Sequence, residues 1–169
     1  MPTGLKQTSS VVAIGFSTTE SAPNTFTQSQ TDLNLSPLDR EVFVVLAINM
    51  DPVAPDALSG LDTQVNCALT TTRQTIVQNL SNSNCLSTAV LDIRAGAPGE
   101  MVSFTRNGLE TTPAVLDYIG IIATNDFFVS IQGTQNVGAK FVSGKLYGYR
   151  ARADADIFAA LVQSEVLSA

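Results

Sequence analysis

Two cysteines, fifteen carboxylates and one glycine–lysine stretch are the parts of this 169-residue chain that could do chemistry. Cys67 and Cys85 would act as nucleophiles only beside a base that takes the thiol proton. The chain holds no histidine, the side chain that serves this purpose in Cys–His and Ser–His–Asp sites. Without histidine the two thiols also offer too few soft ligands for zinc, and their spacing is not that of a C-x-x-C knuckle. Two reduced, half-buried thiols are expected, with a single disulfide as the alternative. A secreted disulfide scaffold would be far denser in cysteine. Gly138–Lys145 looks superficially like a phosphate loop. However, the spacing is one residue too long, and Leu146 stands where a magnesium-holding Ser or Thr belongs. Asp51, Asp56 and Asp62 share one loop and could ligate calcium. They lack EF-hand spacing, and aspartates in loops are common turn formers. A carboxylate pair could hydrolyse a glycoside, but sugar sites on β-sandwiches usually add aromatic platforms. Here there is no tryptophan and there are three tyrosines. No G-x-S-x-G elbow occurs. The expectation is a non-enzyme with no catalytic residue, metal or other cofactor.

The elements that would position any site read as β-structure: short β-branched runs broken by Gly, Pro, Asn and Asp. Strands are expected at Val11–Phe16 and Thr25–Leu35, followed by a turn at Ser36-Pro37-Leu38-Asp39. Glu41–Asn49 carries apolar residues on successive positions, which suits a central strand covered on both faces. Asp51–Asp62 is a long loop. Thr63–Thr72 alternates, with Val65, Cys67 and Leu69 on one face. A weaker strand is expected at Thr75–Leu80. Leu86–Arg94 places Ala89, Leu91 and Ile93 on one face. After a turn at Ala97-Pro98-Gly99, Glu100–Arg106 runs into Asn107-Gly108, a hairpin signal that leads to a strand from Leu109. Val115–Thr124, Asp126–Gln132 and a long Val137–Ala151 complete the set. The apolar residues of the last run lose phase, as a bulge at Gly144 or Gly148 would cause. Only in Asp154–Leu167 do apolar residues fall at helical spacing, with Asp154 as N-cap.

These signals predict an all-β antiparallel sandwich or barrel, most simply a single jelly roll, with a short C-terminal helix. The division is an N-terminal arm with one short strand (1–24), a β-domain (25–151) and a helix (154–168). The start, Met1-Pro2-Thr3-Gly4-Leu5-Lys6, does not resemble a signal peptide. The longest apolar run, Val42–Ile48, is far short of a membrane span, so no membrane insertion is expected.

Charge narrows the function. Only 14% of residues are charged, and the net charge is −6, against about 25% charged in an average soluble domain. The bases are scattered. Lys140–Lys145 and Arg150–Arg152 are expected to be solvent-facing residues of one strand, so no direct nucleic-acid binding is expected. A free domain needs a charged, mixed surface to stay dispersed. A charge-poor exterior is tolerated when it is buried against copies of itself, because interface cores are depleted in Lys, Glu and Asp. The candidate contact residues are Val11, Val12, Ile14 and Phe16 in the arm, and Ile157, Phe158, Leu161 and Val162 on the helix. The simpler role for the helix is a lid on its own domain.

In layout the chain resembles the small single-jelly-roll capsid proteins of tailless icosahedral viruses. The resemblance rests on the polar N-terminal arm, the doubly apolar Glu41–Asn49, the long loop Asp51–Asp62, the closing strand Val137–Ala151 and the terminal helix. It spans the whole chain and includes no family-specific motif. It implies a structural shell protein, made in a host cytoplasm and resident in a virion. Its partners would be further copies in a symmetric oligomer or shell and other capsid proteins. The chain departs from coats that gather RNA with a basic arm. The alternative is a binding module, lectin-like or a virion decoration or fibre domain, recognising a carbohydrate or a protein.

Overall fold

The structure, a computed structural model, describes residues 2–108, 111–112 and 114–169. Along these residues run β1 (Leu5–Gln7), β2 (Val12–Thr19), β3 (Thr27–Asp32), β4 (Glu41–Pro52), β5 (Thr63–Thr70), β6 (Cys85–Ala95), β7 (Met101–Gly108), β8 (Gly120–Ile122), β9 (Asp126–Thr134), β10 (Phe141–Ala153) and the helix α1 (Ala155–Leu167).

The strands pair as a long hairpin folded over itself. β2 pairs with β10, β3 with β9, β4 with β8, and β5 with β6, all antiparallel. Lateral pairing of β10 with β4 and of β9 with β5 then rolls this nested hairpin into two sheets. One sheet runs β2–β10–β4–β8, with β1 on β10 beyond β2. The other runs β3–β9–β5–β6–β7. This nesting across two packed sheets defines a jelly roll. β7 is an addition outside it, hydrogen-bonded to β6.

Alternation explains which side chains fill the space between the sheets. Val65, Cys67 and Leu69 of β5 face inward, as their period-two spacing predicts, and meet Phe43, Ile48, Ile122, Phe127, Ile131 and Leu146. Phe16 packs edge to face on Phe127, with ring centroids 6.0 Å apart. β4 is apolar on both faces because both are covered. Phe43 and Val45 point into the inter-sheet core, while Val42 and Val44 enter a second cluster with Tyr149, Ala151 and Ala153. That second cluster lies beneath α1, whose Ile157, Phe158, Leu161 and Val162 pack onto it.

Several expectations shift. The bulge falls where Tyr147 opposes Ala47 and Gly148 opposes Val45, so the extra residue is Leu46 of β4, across from the glycine. The Thr75–Leu80 segment forms turns and loop, not a strand. Its Ile76 and Leu80 are exposed, and a marginal apolar run without a pairing partner gains nothing by extending. Asn107 and Gly108 are not a turn. They continue β7 opposite Ala89 and Thr88 of β6. The β6–β7 turn is instead Ala97–Glu100, where the Glu100 N–H donates to the Ala97 carbonyl at 2.9 Å and Gly99 supplies a φ of 91° after Pro98. The strand start at Leu109 lies outside the described residues. Val115–Thr124 contracts to the three residues of β8. Residues 5–7 and 12–19 of the N-terminal stretch pair with the chain's own β10. Asp154 occupies the N-cap position of α1 without a side-chain capping bond, and its N–H donates to the Gly4 carbonyl at 3.1 Å.

Candidate self-association surface

Several of the ionisable groups are held at loops and strand ends, where their hydrogen bonds have structural roles. Glu20, at the end of β2, is buried. Its carboxylate accepts the Gly133 N–H at 2.6 Å and the Lys140 N–H at 2.8 Å. Asp56 accepts the Lys140 ammonium at 2.5 Å and the amides of Val137 and Gly138 at 2.8 and 3.2 Å. The Lys140 ammonium, followed by the two amides, holds the Asp56 carboxyl below its ordinary range. Asn136 joins the same loops, taking the Asp56 N–H at 2.9 Å and donating to the Gln64 carbonyl at 2.9 Å. Asn24 closes a reciprocal pair with the Asn136 backbone, both bonds 2.8 Å. The cluster therefore pins the loops after β2, β4 and β9 to one another. Because buried polar groups need partners, a satisfied set of this kind fixes loop shape and leaves no reactive group free.

The other candidates resolve similarly. Asp62 takes the Ala95 N–H at 2.9 Å and Arg94 at 3.1 Å. The backbone bond, then the arginine, lowers its pKa. Asp51 lies in β4 opposite Ser143, while Asp56 and Asp62 make separate local bonds. Among the described residues, no three of His, Cys, Asp and Glu come together as a metal site would require. Cys67 and Cys85 are buried free thiols. Desolvation raises the pKa of both, that of Cys85 to about 11. Lys140 is buried rather than solvent-facing. Arg150 reaches back to the Leu33 and Asn34 carbonyls at 2.7 and 3.0 Å, so neither forms part of an open basic face. On α1, Glu165 is buried against the amides of Ala123 and Thr124 at 3.1 and 2.8 Å. Desolvation raises its pKa, and those hydrogen bonds oppose the rise. No helix among the described residues is long and apolar enough to cross a membrane.

The eight candidate contact residues divide. Phe16 is buried and Ile14 partly so, both against the inter-sheet core. Ile157, Phe158, Leu161 and Val162 are partly buried on the chain's own sheet, which leaves only their outer rims for a neighbour. Val11 and Val12 are exposed, as are Val166 and Leu167 at the far end of α1.

The surface that sequence reading missed is β7. Every residue from Met101 to Asn107 is exposed, and Val102 and Phe104 keep 56% and 53% of their surface open to solvent. Among the described residues, β7 pairs with β6 on one side, and its other edge is an end of the second sheet. The alternation of Val102, Phe104 and Arg106 with Ser103 and Thr105 is a strand signal. Nothing in that pattern tells an edge strand from an inner one.

Among solved structures, a chain from Desmodium yellow mottle tymovirus aligns over 91% of this chain and 93% of its own length, with 10% identity and a TM-score of 0.31. That likeness is too loose to carry a function. No family model matches the sequence, and no curated protein matches it.

Proposed function

We propose that this chain is a structural shell protein, a viral capsid component that assembles with copies of itself through strand edges, loops and termini. The observation that carries this reading is a charge-poor edge strand left open on a jelly roll. Jelly rolls recur in viral shells, lectins and cupins, so fold alone does not choose among them. Native sheets protect free edges with lysine, proline, bulges or brevity. β7 has eight residues, and neither lysine nor proline lies within it. An edge of this kind with exposed Met101, Val102 and Phe104 supports a role in which it is covered. Val11 and Val12 near the N-terminus, and the open rims of Ile157, Phe158, Leu161 and Val162, are further contact residues in this reading. The carboxylates of Glu20, Asp56 and Glu165 fit it too, since each is engaged in holding loops. The partners are further copies in a symmetric assembly and other capsid proteins, with residence in the virion.

Negative-stain microscopy and sedimentation of the purified protein over a wide concentration range test this. Shells or regular oligomers support it. A monodisperse monomer at the highest concentration, with no associating protein from the same source, overturns it. A specific glycan or protein ligand bound by that monomer would establish a binding module instead.

A further inference from the structure

The hydrogen-bond phase of β7 fixes which of its backbone groups are open. The Gly96 N–H donates to the Glu100 carbonyl at 2.9 Å, which makes Gly96–Glu100 a hydrogen-bonded position of the β6–β7 ladder. The Ala95 N–H instead turns to Asp62, so Ala95–Met101 is a non-hydrogen-bonded position. Hydrogen-bonded and non-hydrogen-bonded pairs alternate along an antiparallel ladder. Val102, Phe104 and Arg106, opposite Arg94, Asp92 and Val90, therefore direct their backbone groups to β6. Met101, Ser103 and Thr105 direct theirs outward. The outward row can accept another antiparallel strand only in registers that pair these odd-numbered residues with one another.

We propose that β7 pairs antiparallel with β7 of a second copy, across a two-fold axis at Ser103, joining two jelly rolls through one continuous sheet. This inference deepens the self-assembling reading by naming one interface. In this register Ser103 faces Ser103 of the second copy, and Met101 faces Thr105. Val102 faces Phe104 and Glu100 faces Arg106, each twice by symmetry. Val102 and Phe104 then sit at the closer, non-hydrogen-bonded positions, where an aromatic and a β-branched side chain pack well. Arg106 is already positioned, with one nitrogen 3.0 Å from the Asp92 carboxylate. Sliding the strands by one step of the ladder either way sets Glu100 against Phe104 or against Gly108. Both slips leave Glu100 without Arg106. Charge complementarity thus selects one register and one occupant, a second copy of this chain. An isologous contact of this type closes on itself as a dimer. Further assembly would need other surfaces.

The register is tested by cysteine placement. A hydrogen-bonded antiparallel pair separates Cα atoms by about 5.5 Å, within disulfide reach. Ser103→Cys should give a covalent dimer under mild oxidation. Thr105→Cys, equally exposed but opposite Met101, should not. Ser103→Pro removes an outward N–H while sparing the bonds to β6, a position at which edge strands tolerate proline. It should keep the wild-type circular dichroism and melting temperature while weakening dimerisation by at least about tenfold, or 1.4 kcal/mol, in sedimentation equilibrium. Equal cross-linking through Thr105→Cys, or wild-type association by a folded Ser103→Pro protein, overturns the β7 interface. If shells still form in that case, the structural reading survives without it. A wild-type protein that stays monomeric at every concentration, with no Ser103→Cys cross-link and no associating protein from the same source, overturns both.

Discussion

Replacing Gly148 with alanine probes the joint on which the first sheet turns. A Cβ at this position would lie 2.2 Å from the Val44 carbonyl oxygen and 2.4 Å from Cε1 of Phe43. Neither neighbour can retreat easily. Val44 belongs to β4, where the ladder with β10 shifts register beside Gly148. Phe43 is only 1% exposed and is wedged between the sheets. Overpacking costs about 1–3 kcal/mol, and a collision with backbone places this site near about 3 kcal/mol. Restricting the unfolded chain returns about 0.4–1 kcal/mol. The net loss is about 2 kcal/mol. For a domain of this size that lowers the melting temperature by about 4–8 °C and the urea midpoint by about 1 M. The matched control is Gly138→Ala, because a Cβ there meets nothing within 4 Å. It should melt at or slightly above wild type, by no more than about 4 °C, from the reduced freedom of the unfolded chain. Calorimetry or urea titration of the three proteins decides the matter. If Gly148→Ala melts with the control, the close approach of β10 to β4 is wrong, and so is the account of the bulge.

Two further outcomes follow from the titratable groups. The Asp56 carboxyl is held below its ordinary value by Lys140 and the Val137 and Gly138 amides, so its stabilisation is present above the unfolded carboxylate pKa and is lost as pH falls through the folded value. The protection of the Val137 and Gly138 amides, taken relative to the intrinsic exchange rate at each pH, should fall on acidification in the wild type. In Asp56→Asn that protection should already be low at neutral pH and change little with pH; protection in that variant equal to wild type would refute the latch. Burial places the Cys85 thiol at about 11 and raises Cys67 as well, so near pH 8 thiol reagents should label the native protein slowly and both residues rapidly in denaturant. Rapid native labelling, or an oxidised pair seen by intact mass, would contradict two buried free thiols.

The legible parts of this chain are those written in local patterns. The double-sided apolar run of Glu41–Asn49 is a strand covered on both faces, and Val65, Cys67 and Leu69 share the inward side. The helical spacing of Ile157, Phe158, Leu161 and Val162 gives α1. Misreadings arise where a local signal loses to pairing. Asn107-Gly108 is a strong turn dipeptide, yet β6 offers it a ladder position and Pro98-Gly99 already makes the turn. Thr75–Leu80 has strand composition, but among the described residues no strand pairs with it. Lys140 looks like a surface lysine until Asp56 is brought to it across the loops.

The sequence by itself determined the class of this protein: antiparallel β-structure with one terminal helix, a core face on most strands, and a composition short of charge and without imidazole. Period-two and period-3.6 spacing are properties of neighbouring residues, so they survive in one dimension. Tertiary structure decided the nesting of β2 on β10, β3 on β9 and β4 on β8, the loop latch built on Glu20 and Asp56, and the status of β7 as an open edge. Each depends on contacts between residues distant along the chain. Whether a strand is central or terminal in a sheet is fixed by what pairs beside it, and alternation along the strand carries no record of that.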